Sequence, residues 1–348
     1  MSKHGWTYKK FEDCLKKFKT PSKIKSSEYY RSGLYPVISQ EQEYISGYNN
    51  SAEKIFHHDK PVVVFGDHSR VVKYVDFDFI VGADGVKILL VRDELNPRFF
   101  YYYIKWIDVQ SLGYSRHYKV LKENYIPVPP MGEQEAIVAE LDEINSAIDE
   151  LKLQVADLGT LAQATFYDMF GDPVANPKAW PVKKLGEVCF LKAGKNIKAS
   201  ELSQKPSEGL YPCYGGNGIR GYIAKKSHEG CFPIIGRQGA LCGNVVLATG
   251  SFYATEHAVV CQPLEELNTI FLFFALKEMN LNQYAKGVAQ PGLAVSSITP
   301  LFLPIPPMPL QQEFAARVKA IEEAKAELKA QMADMQALLA SRMQYWFD

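Results

Sequence analysis

The sequence predicts an α/β protein of two mixed domains, each running into a long helix, the whole built from one internal repeat. Three observations carry that reading. Two stretches place apolar residues at alternating four- and three-residue steps, the seam of a helix that lies along another helix. Each stretch opens on the same proline-rich break. The sequence ahead of each break alternates short β-prone runs with Gly, Asn, Asp and His turns. A repeat of this length decides architecture before local detail does. It divides the 348 residues into domains at 1–130 and 173–307, with helices at 131–172 and 308–348.

The chain opens on a lysine-rich segment, where Lys9, Lys10, Lys16, Lys17, Lys19, Lys23 and Lys25 are interleaved with Tyr8, Phe11 and Phe18. Two readings stand for it: the solvated face of an amphipathic helix, or phosphate contacts that set register on a duplex. Strands are expected at residues 34–39, 44–48, 61–65, 71–74 and 86–91. A helix on the sheet is expected at 96–109, and a polar loop at 114–118. Then comes the break, Ile126-Pro-Val-Pro-Pro-Met131, and the first seam: Ile137, Leu141, Ile144, Ile148, Leu151, Val155, Leu158, Ala162, Phe166 and Met169. No proline interrupts it before Pro173, and one glycine, Gly159, is tolerable in so long a run. About 36 residues at ~1.5 Å each give a rod of roughly 54 Å, suited to a spacer or a partner surface.

The second half repeats the first. Trp180-Pro-Val-Lys-Lys-Leu185 answers Trp6-Thr-Tyr-Lys-Lys-Phe11, and Tyr211-Pro212 answers Tyr35-Pro36. Strands are expected at 222–224, 232–235, 244–248 and 258–262, a helix near 267–279, and a loop at 285–291. Few of these runs alternate cleanly, which points to irregular, partly buried sheets. Leu303-Pro-Ile-Pro-Pro-Met308 repeats the break, and Gln311 stands where Gln134 stood. The second seam is Phe314, Val318, Ile321, Lys325, Leu328, Met332, Met335, Leu339, Met343 and Trp346, and Met343-Gln-Tyr-Trp-Phe347 ends it as Phe166-Tyr-Asp-Met-Phe170 ends the first. Lys325 takes the place of Ile148. A lone charged seam residue sets register at a cost in stability, so Lys325 is expected to pair with an acidic residue of the first helix, and Lys325→Leu to raise the melting temperature.

The formal net charge of zero averages unlike regions. Residues 1–125 carry +5 (20 basic, 15 acidic) and residues 171–302 carry +4 (13 and 9). The first helix with its break carries −8 (1 and 9), the second −1 (5 and 6). Basic domains permit nucleic-acid binding. The six cysteines form no CxxC pair and no Cys/His ligand spacing, so reduced, buried thiols are expected. No apolar run is long enough to span a membrane and residues 1–6 lack an apolar signal core, which together point to the cytoplasm.

Motif searches for catalysis fail. Gly216-Asn-Gly218-Ile-Arg-Gly221 matches a dinucleotide fingerprint by letters, but a strand-like run, Tyr222-Ile-Ala-Lys-Lys, stands where the fingerprint needs a helix. These glycines are expected to provide turns and close backbone approach instead. No phosphate-binding loop of the GxxxxGK[ST] kind is present, His57-His58-Asp59 has no second ligand pair, and Asn96-Pro97-Arg-Phe99 lacks the second proline of an amino-methyltransferase signature. The remaining features are polar tips on glycine-rich loops, Gly66-Asp-His-Ser-Arg70 and Gly236-Arg-Gln-Gly239. Arginine can chelate guanine, and Gln or Asn adenine, through paired hydrogen bonds in the major groove. The candidate DNA contacts are therefore Lys9, Lys10, Arg70 and Arg116 in the first domain, and Lys195, Asn217, Arg220, Arg237 and Gln238 in the second. Arg237→Ala is expected to relax or abolish only the contacts made by the second domain.

Taken together, the order of basic domain, Pro-Pro-x-x-x-Gln helix, basic domain, Pro-Pro-x-x-x-Gln helix resembles the specificity subunit of type I restriction–modification enzymes. The resemblance rests on Ile126-Pro-Val-Pro-Pro-Met-Gly-Glu-Gln134 and Leu303-Pro-Ile-Pro-Pro-Met-Pro-Leu-Gln311, with Tyr214–Tyr222 and Ile235–Gly239 in support, and it spans essentially the whole chain. It implies two target recognition domains, each reading one half of a split double-stranded DNA sequence, and two antiparallel coiled-coil helices related by a pseudo-twofold axis. It also implies docking of two methyltransferase (modification) subunits, attachment of ATP-dependent restriction subunits, and no active site or cofactor of this chain's own. The two domains carry different loops, so the halves of the target should differ. The unequal charge of the two helices sets a limit on how alike the two docking surfaces are. A non-catalytic coiled-coil scaffold joining two protein-binding domains is the alternative, and it predicts no salt-dependent DNA affinity. A catalytic DNA methyltransferase is a third reading, tested by adenosylmethionine binding.

Overall fold

The computed structural model describes residues 5–19, 21–107, 109, 113, 115–239, 241–287 and 291–348. The chain forms two compact units: residues 1–151 with 331–348, and residues 152–330.

In the first unit β1 (Thr7–Lys10) is followed by β2 (Lys23–Ile24), β3 (Tyr35–Ile38), β4 (Gly47–Asn49), β5 (Ile55–Phe56), β6 (Val62–Gly66), β7 (Val72–Val75), β8 (Phe79–Gly82) and β9 (Val86–Leu89). Then come α1 (Pro97–Trp106), the single turn α2 (Tyr118–Leu121), β10 (Tyr125–Val128) and α3 (Met131–Phe170), whose second half belongs to the other unit. One mixed sheet runs β2-β8-β3-β4 with β5 also on β8, another runs β7-β6-β9, and β1 pairs with β10 in an antiparallel ribbon. The lysine-rich opening is thus not a helix face. Its start is a strand of that ribbon, because Trp6 and Phe11 are buried on either side of it and pin it to the core. The expected strand at 44–48 is also shifted, to Gly47–Asn49.

In the second unit β11 (Val182–Lys184), the turn α4 (Leu185–Val188), β12 (Cys189–Ala193), β13 (Tyr211–Gly215), β14 (Gly218–Ile223), β15 (His228–Gly236), β16 (Val245–Ala254) and β17 (Ala258–Pro263) precede α5 (Thr269–Glu278). The turn α6 (Val295–Ile298), β18 (Phe302–Pro304) and α7 (Met308–Phe347) follow. The sheet order is β12-β17-β15-β16-β13-β14, with β13 and β16 parallel, and β11 pairs with β18 as β1 does with β10.

The missing alternation has a physical cause: the central strands are buried on both faces. Val63 and Phe65 of β6 enter the cluster that holds Phe99 and Phe100 of α1, while Val62 and Val64 enter another with Ile38 and Phe79. In β17, Val259 and Cys261 face the helix-side core, and Ala258 and Val260 the opposite one. A strand with two apolar faces reads as a continuous apolar run.

The long helices run antiparallel within each unit. In the first, Ile137 and Leu141 near the start of α3 share a core with Phe347 at the end of α7. In the second, Phe314 and Val318 near the start of α7 share one with Phe166 and Phe170 at the end of α3. The equivalence reaches single rings: Phe347 meets Phe99 edge-on at 5.7 Å, and Phe170 meets Phe271 edge-on at 4.7 Å. Ile144, Ile148, Val318 and Ile321 are also buried, whereas Leu151, Lys325 and Leu328 are half-buried. Among the described residues the carboxylate that Lys325 meets is not one of α3. The Lys325 ammonium lies 2.7 Å from Glu322, one turn back in its own helix, a partner within reach without crossing the seam.

Candidate nucleic-acid interface

One buried glutamine in each unit holds the domain helix to its long helix. Gln134 accepts a hydrogen bond from the Asn96 backbone N–H (2.7 Å) and donates to the carbonyls of Glu94 and Pro129 (both 2.8 Å). Gln311 accepts from the Asn268 N–H (2.8 Å) and donates to Glu266 (3.1 Å) and Pro306 (2.8 Å). Asn96 and Asn268 in turn cap α1 and α5, each side chain accepting from two N–H groups of the first helical turn. Asn96-Pro97 is therefore a helix start, with proline where no N–H is needed. The sheets of each unit and the loops they carry are built on this duplicated frame.

In the second unit the candidates divide. Asn217, Arg220 and Gln238 line one shallow concavity of about 570 Å³, together with Ile219, Leu241 and His257. The fingerprint-like glycines build it as a β-hairpin: Gly218 takes φ +98° at the turn between β13 and β14. A Cβ on Gly236 would lie 2.0 Å from the Gly216 carbonyl oxygen, so only glycine lets the hairpin tip press against the end of β15. Arg237 faces the other way. Its Nη1 donates to the Glu256 carbonyl (3.0 Å) and its Nε to that of Leu293 (3.4 Å), so the guanidinium braces the loops that carry its neighbours. Asn244 donates to the side-chain oxygen of Asn217 at 2.8 Å, which turns the Asn217 amide. Lys195 is exposed but does not line the concavity. In the segment that brings His257 to the concavity, among the described residues, Thr255 Oγ1, Glu256 Oε2 and His257 Nδ1 are buried without hydrogen-bond partners.

In the first unit Arg70 sits at φ +63° in the turn after β6, and its Nη1 donates to the Val109 carbonyl at 2.9 Å. It too is a brace. Arg116 is exposed. The next segment of chain is tied to the same turn, with the Tyr118 N–H donating to the Asp67 carboxylate at 2.9 Å. The loops at Gln40, Asp67–Arg70, Gly85 and Ser115–Tyr118 meet there: the His68 N–H donates to Gln40 and the Asp67 N–H to the Gly85 carbonyl. Residues 114 and 288–290 of the two expected loops lie outside the described residues.

Beside that meeting point runs a basic cleft of about 820 Å³. Lys16, Lys17, Lys23, Lys87 and Arg92 line it with Phe18 and Tyr118, against two acids, Glu12 and Asp13. Burial first, and then the neighbouring Lys87 ammonium, hold the Lys23 pKa below its ordinary value. The Lys23 ammonium donates to the Val86 carbonyl at 2.9 Å. Lys87 lies over the Tyr118 ring (5.3 Å) and 3.7 Å from the Asp67 carboxylate, which joins the cleft to the loops. Sequence reasoning missed Lys87, which lies inside an expected strand, Arg92, which follows it, Ile219, which sat unremarked within the glycine motif, and Leu241 and His257, which carry no motif. Lys9 is engaged elsewhere, in a 2.5 Å ion pair with Glu94, and Lys10 is exposed on the ribbon.

Among the described residues no group of three or more His, Cys, Asp and Glu is placed to hold a metal, and no helix is long and apolar enough to cross a membrane. The His57-His58-Asp59 stretch is structural: His57 Nδ1 pairs with Asp78 at 2.6 Å, and His58 Nε2 bonds the Phe77 carbonyl. All six thiols are free, and burial pushes that of Cys189 up to about 12.

A family model described as "Type I restriction modification DNA specificity domain" matches residues 3–156 and again 177–334. The chain belongs to that family. The type I restriction enzyme EcoprrI specificity subunit of Escherichia coli is 50% identical over 135 residues, 38% of this chain and 34% of that protein. The EcoR124I/EcoR124II specificity subunit of the same species is 26% identical over 187 residues, half of this chain and 46% of its own. The chain thus spans a third to a half of the length of these curated relatives. The crystal structure of a type I restriction–modification S subunit from M. genitalium shares the fold, with TM-score 0.61 over 99% of this chain and 96% of that one at 17% identity. Each compact unit comprises a domain helix, a ribbon and about half of each long helix.

Proposed function

We propose that this specificity-family chain reads double-stranded DNA without catalysing a reaction, residues 1–130 recognising one half of a split target and residues 173–307 the other. The observation that carries the reading is the contrast between frame and loops. Proline break, buried glutamine, capping asparagine and ribbon are the same in both domains, whereas the first presents a basic cleft beside loops at 40, 67–70, 85 and 115–118, and the second a concavity of Asn217, Arg220 and Gln238. Unlike loops on like frames suit two different half-sites, so the target is not a palindrome. Cleft cations would neutralise phosphates, which position the protein, and the Arg, Asn and Gln tips would meet base edges, which specify. The long helices, 131–172 and 308–348, would dock two methyltransferase subunits that supply the adenosylmethionine chemistry, and ATP-dependent restriction subunits would join that core in the cytoplasm.

A genome-wide map of adenine methylation in the source cell, with and without the gene, tests this. Loss of one split, non-palindromic motif is expected; an unchanged map with the methyltransferase present would favour a scaffold joining protein-binding domains. At residue level, Arg220→Ala and Gln238→Ala should each relax the second half-site, at ~1–3 kcal/mol for every base left unread. Arg237→Ala should instead lower thermal stability.

A further inference from the structure

Each unit carries the same antiparallel ribbon, and the two match in pairing, burial and chemistry. Tyr8 lies opposite Pro127 and Lys10 opposite Tyr125; Val182 lies opposite Pro304 and Lys184 opposite Phe302. The inward face is closed by buried Ile126 in one and Leu303 in the other. On the outward face Pro127 and Pro304 are buried, and the other side chains stay open, with Tyr8 at 44% and Tyr125 at 54% exposed, Val182 at 49% and Phe302 at 59%. An ion pair flanks each ribbon at the corresponding place, Lys9 with Glu94 at 2.5 Å and Lys183 with Glu266 at 2.6 Å, and each glutamine clamp bonds the backbone carbonyl of that same glutamate.

A single exposed aromatic is ordinary on a protein surface. These differ because they recur where the frame is duplicated, while the loops set to meet DNA do not. An outward side chain adds little to its own domain, so its recurrence answers to something both units meet in the same form. The two halves of a non-palindromic target are not that; two copies of one protein are. We propose that the outward faces Tyr8-Lys10-Tyr125 and Val182-Lys184-Phe302 are equivalent docking patches for two copies of one partner subunit, each inserting the aromatic into an apolar recess with an acidic group beside the lysine. Under the reading above that partner is the methyltransferase subunit, and the inference rests on that reading. Aromatic anchors ringed by polar groups are the usual centre of such interfaces. Lys10 then belongs to a protein interface and leaves the set of phosphate contacts.

The test uses the full chain titrated with the methyltransferase subunit from the same cell, with the mass of the assembly read by analytical ultracentrifugation. Tyr125→Thr should weaken one of two sites at least tenfold and leave the other intact, Phe302→Thr should do the converse, and the double variant should lose both. Threonine keeps strand propensity, and an unchanged melting temperature checks the fold. Tyr125→Phe should retain binding, and Lys10→Ala with Lys184→Ala should weaken both sites severalfold without touching an apolar group. If the wild type binds two copies and the double variant still does within threefold, this inference falls while the reading of function stands. If the wild type binds none, both fall. Self-association of the free chain that disappears in the variants would assign the ribbons to a second copy of this chain and overturn the proposal.

Discussion

Gln134→Leu isolates the frame from the loops. The side chain is fully buried and serves three backbone groups: the N–H of Asn96 and the carbonyls of Glu94 and Pro129. Leucine nearly conserves the volume, so the substitution removes the hydrogen bonds and leaves little cavity. A buried donor or acceptor left without a partner costs about 1–3 kcal/mol. The Asn96 N–H has one bond to lose and sits at the upper part of that range, while carbonyls keep a second lone pair and sit at the lower part. The sum is ~3–5 kcal/mol. For a unit of this size that corresponds to a fall of roughly 6–20 °C in melting temperature. Differential scanning calorimetry of the full chain should show one transition displaced by that amount. Gln311→Leu should displace the other transition comparably, because Asn268, Glu266 and Pro306 replace the three partners one for one. A shift under ~1 kcal/mol would mean that water or a backbone adjustment satisfies these groups, and would refute the clamp.

Three further outcomes are expected. Lys16→Ala, Lys17→Ala and Lys87→Ala should each weaken binding to all DNA sequences alike, and each should flatten the slope of log affinity against log salt by ~0.9 for the phosphate it no longer neutralises; an unchanged slope removes the cleft from the interface. Glu140 is held below its ordinary carboxylate pKa first by Arg342, then by Trp346. Its folded pKa lies below the unfolded one, so its contribution is complete above the ordinary range and fades as pH falls through the depressed value. Denaturation midpoints between pH 7 and 3 should therefore fall more steeply for the wild type than for Glu140→Gln, and parallel curves would deny the linkage. Lys325→Leu should raise the melting temperature of the second unit, since the exchange gives up only an i,i+3 pair with Glu322 worth under ~1 kcal/mol and adds a seam leucine; no rise would show that the lysine stem already fills the seam.

The sequence alone determined the local and the periodic features. The seams of α3 and α7 were legible because a helix repeats its buried face every three to four residues. The proline breaks were legible because proline cannot continue a helix or donate to a ladder, and the duplication because it is written twice. The resemblance to the specificity family rested on these same breaks. Strand β8, buried on both faces, gave no alternation to read and was missed; β10 and β4, neither of them buried throughout, were too short to show a period and were missed and misplaced. Which way a polar side chain turns was beyond the sequence altogether. Arg70 and Arg237 stood on loops as exposed in pattern as Arg220, yet carbonyls of Val109, Glu256 and Leu293, brought close only by folding, draw their guanidinium groups inward. Gln134 and Gln311 were visible as repeated letters; their role needed the N–H of a residue 38 and 43 positions away. Lys325 found its carboxylate within its own helix because an i,i+3 neighbour is always in reach. Hydrogen-bond partners are set by distance in space, and only the tertiary structure assigns that.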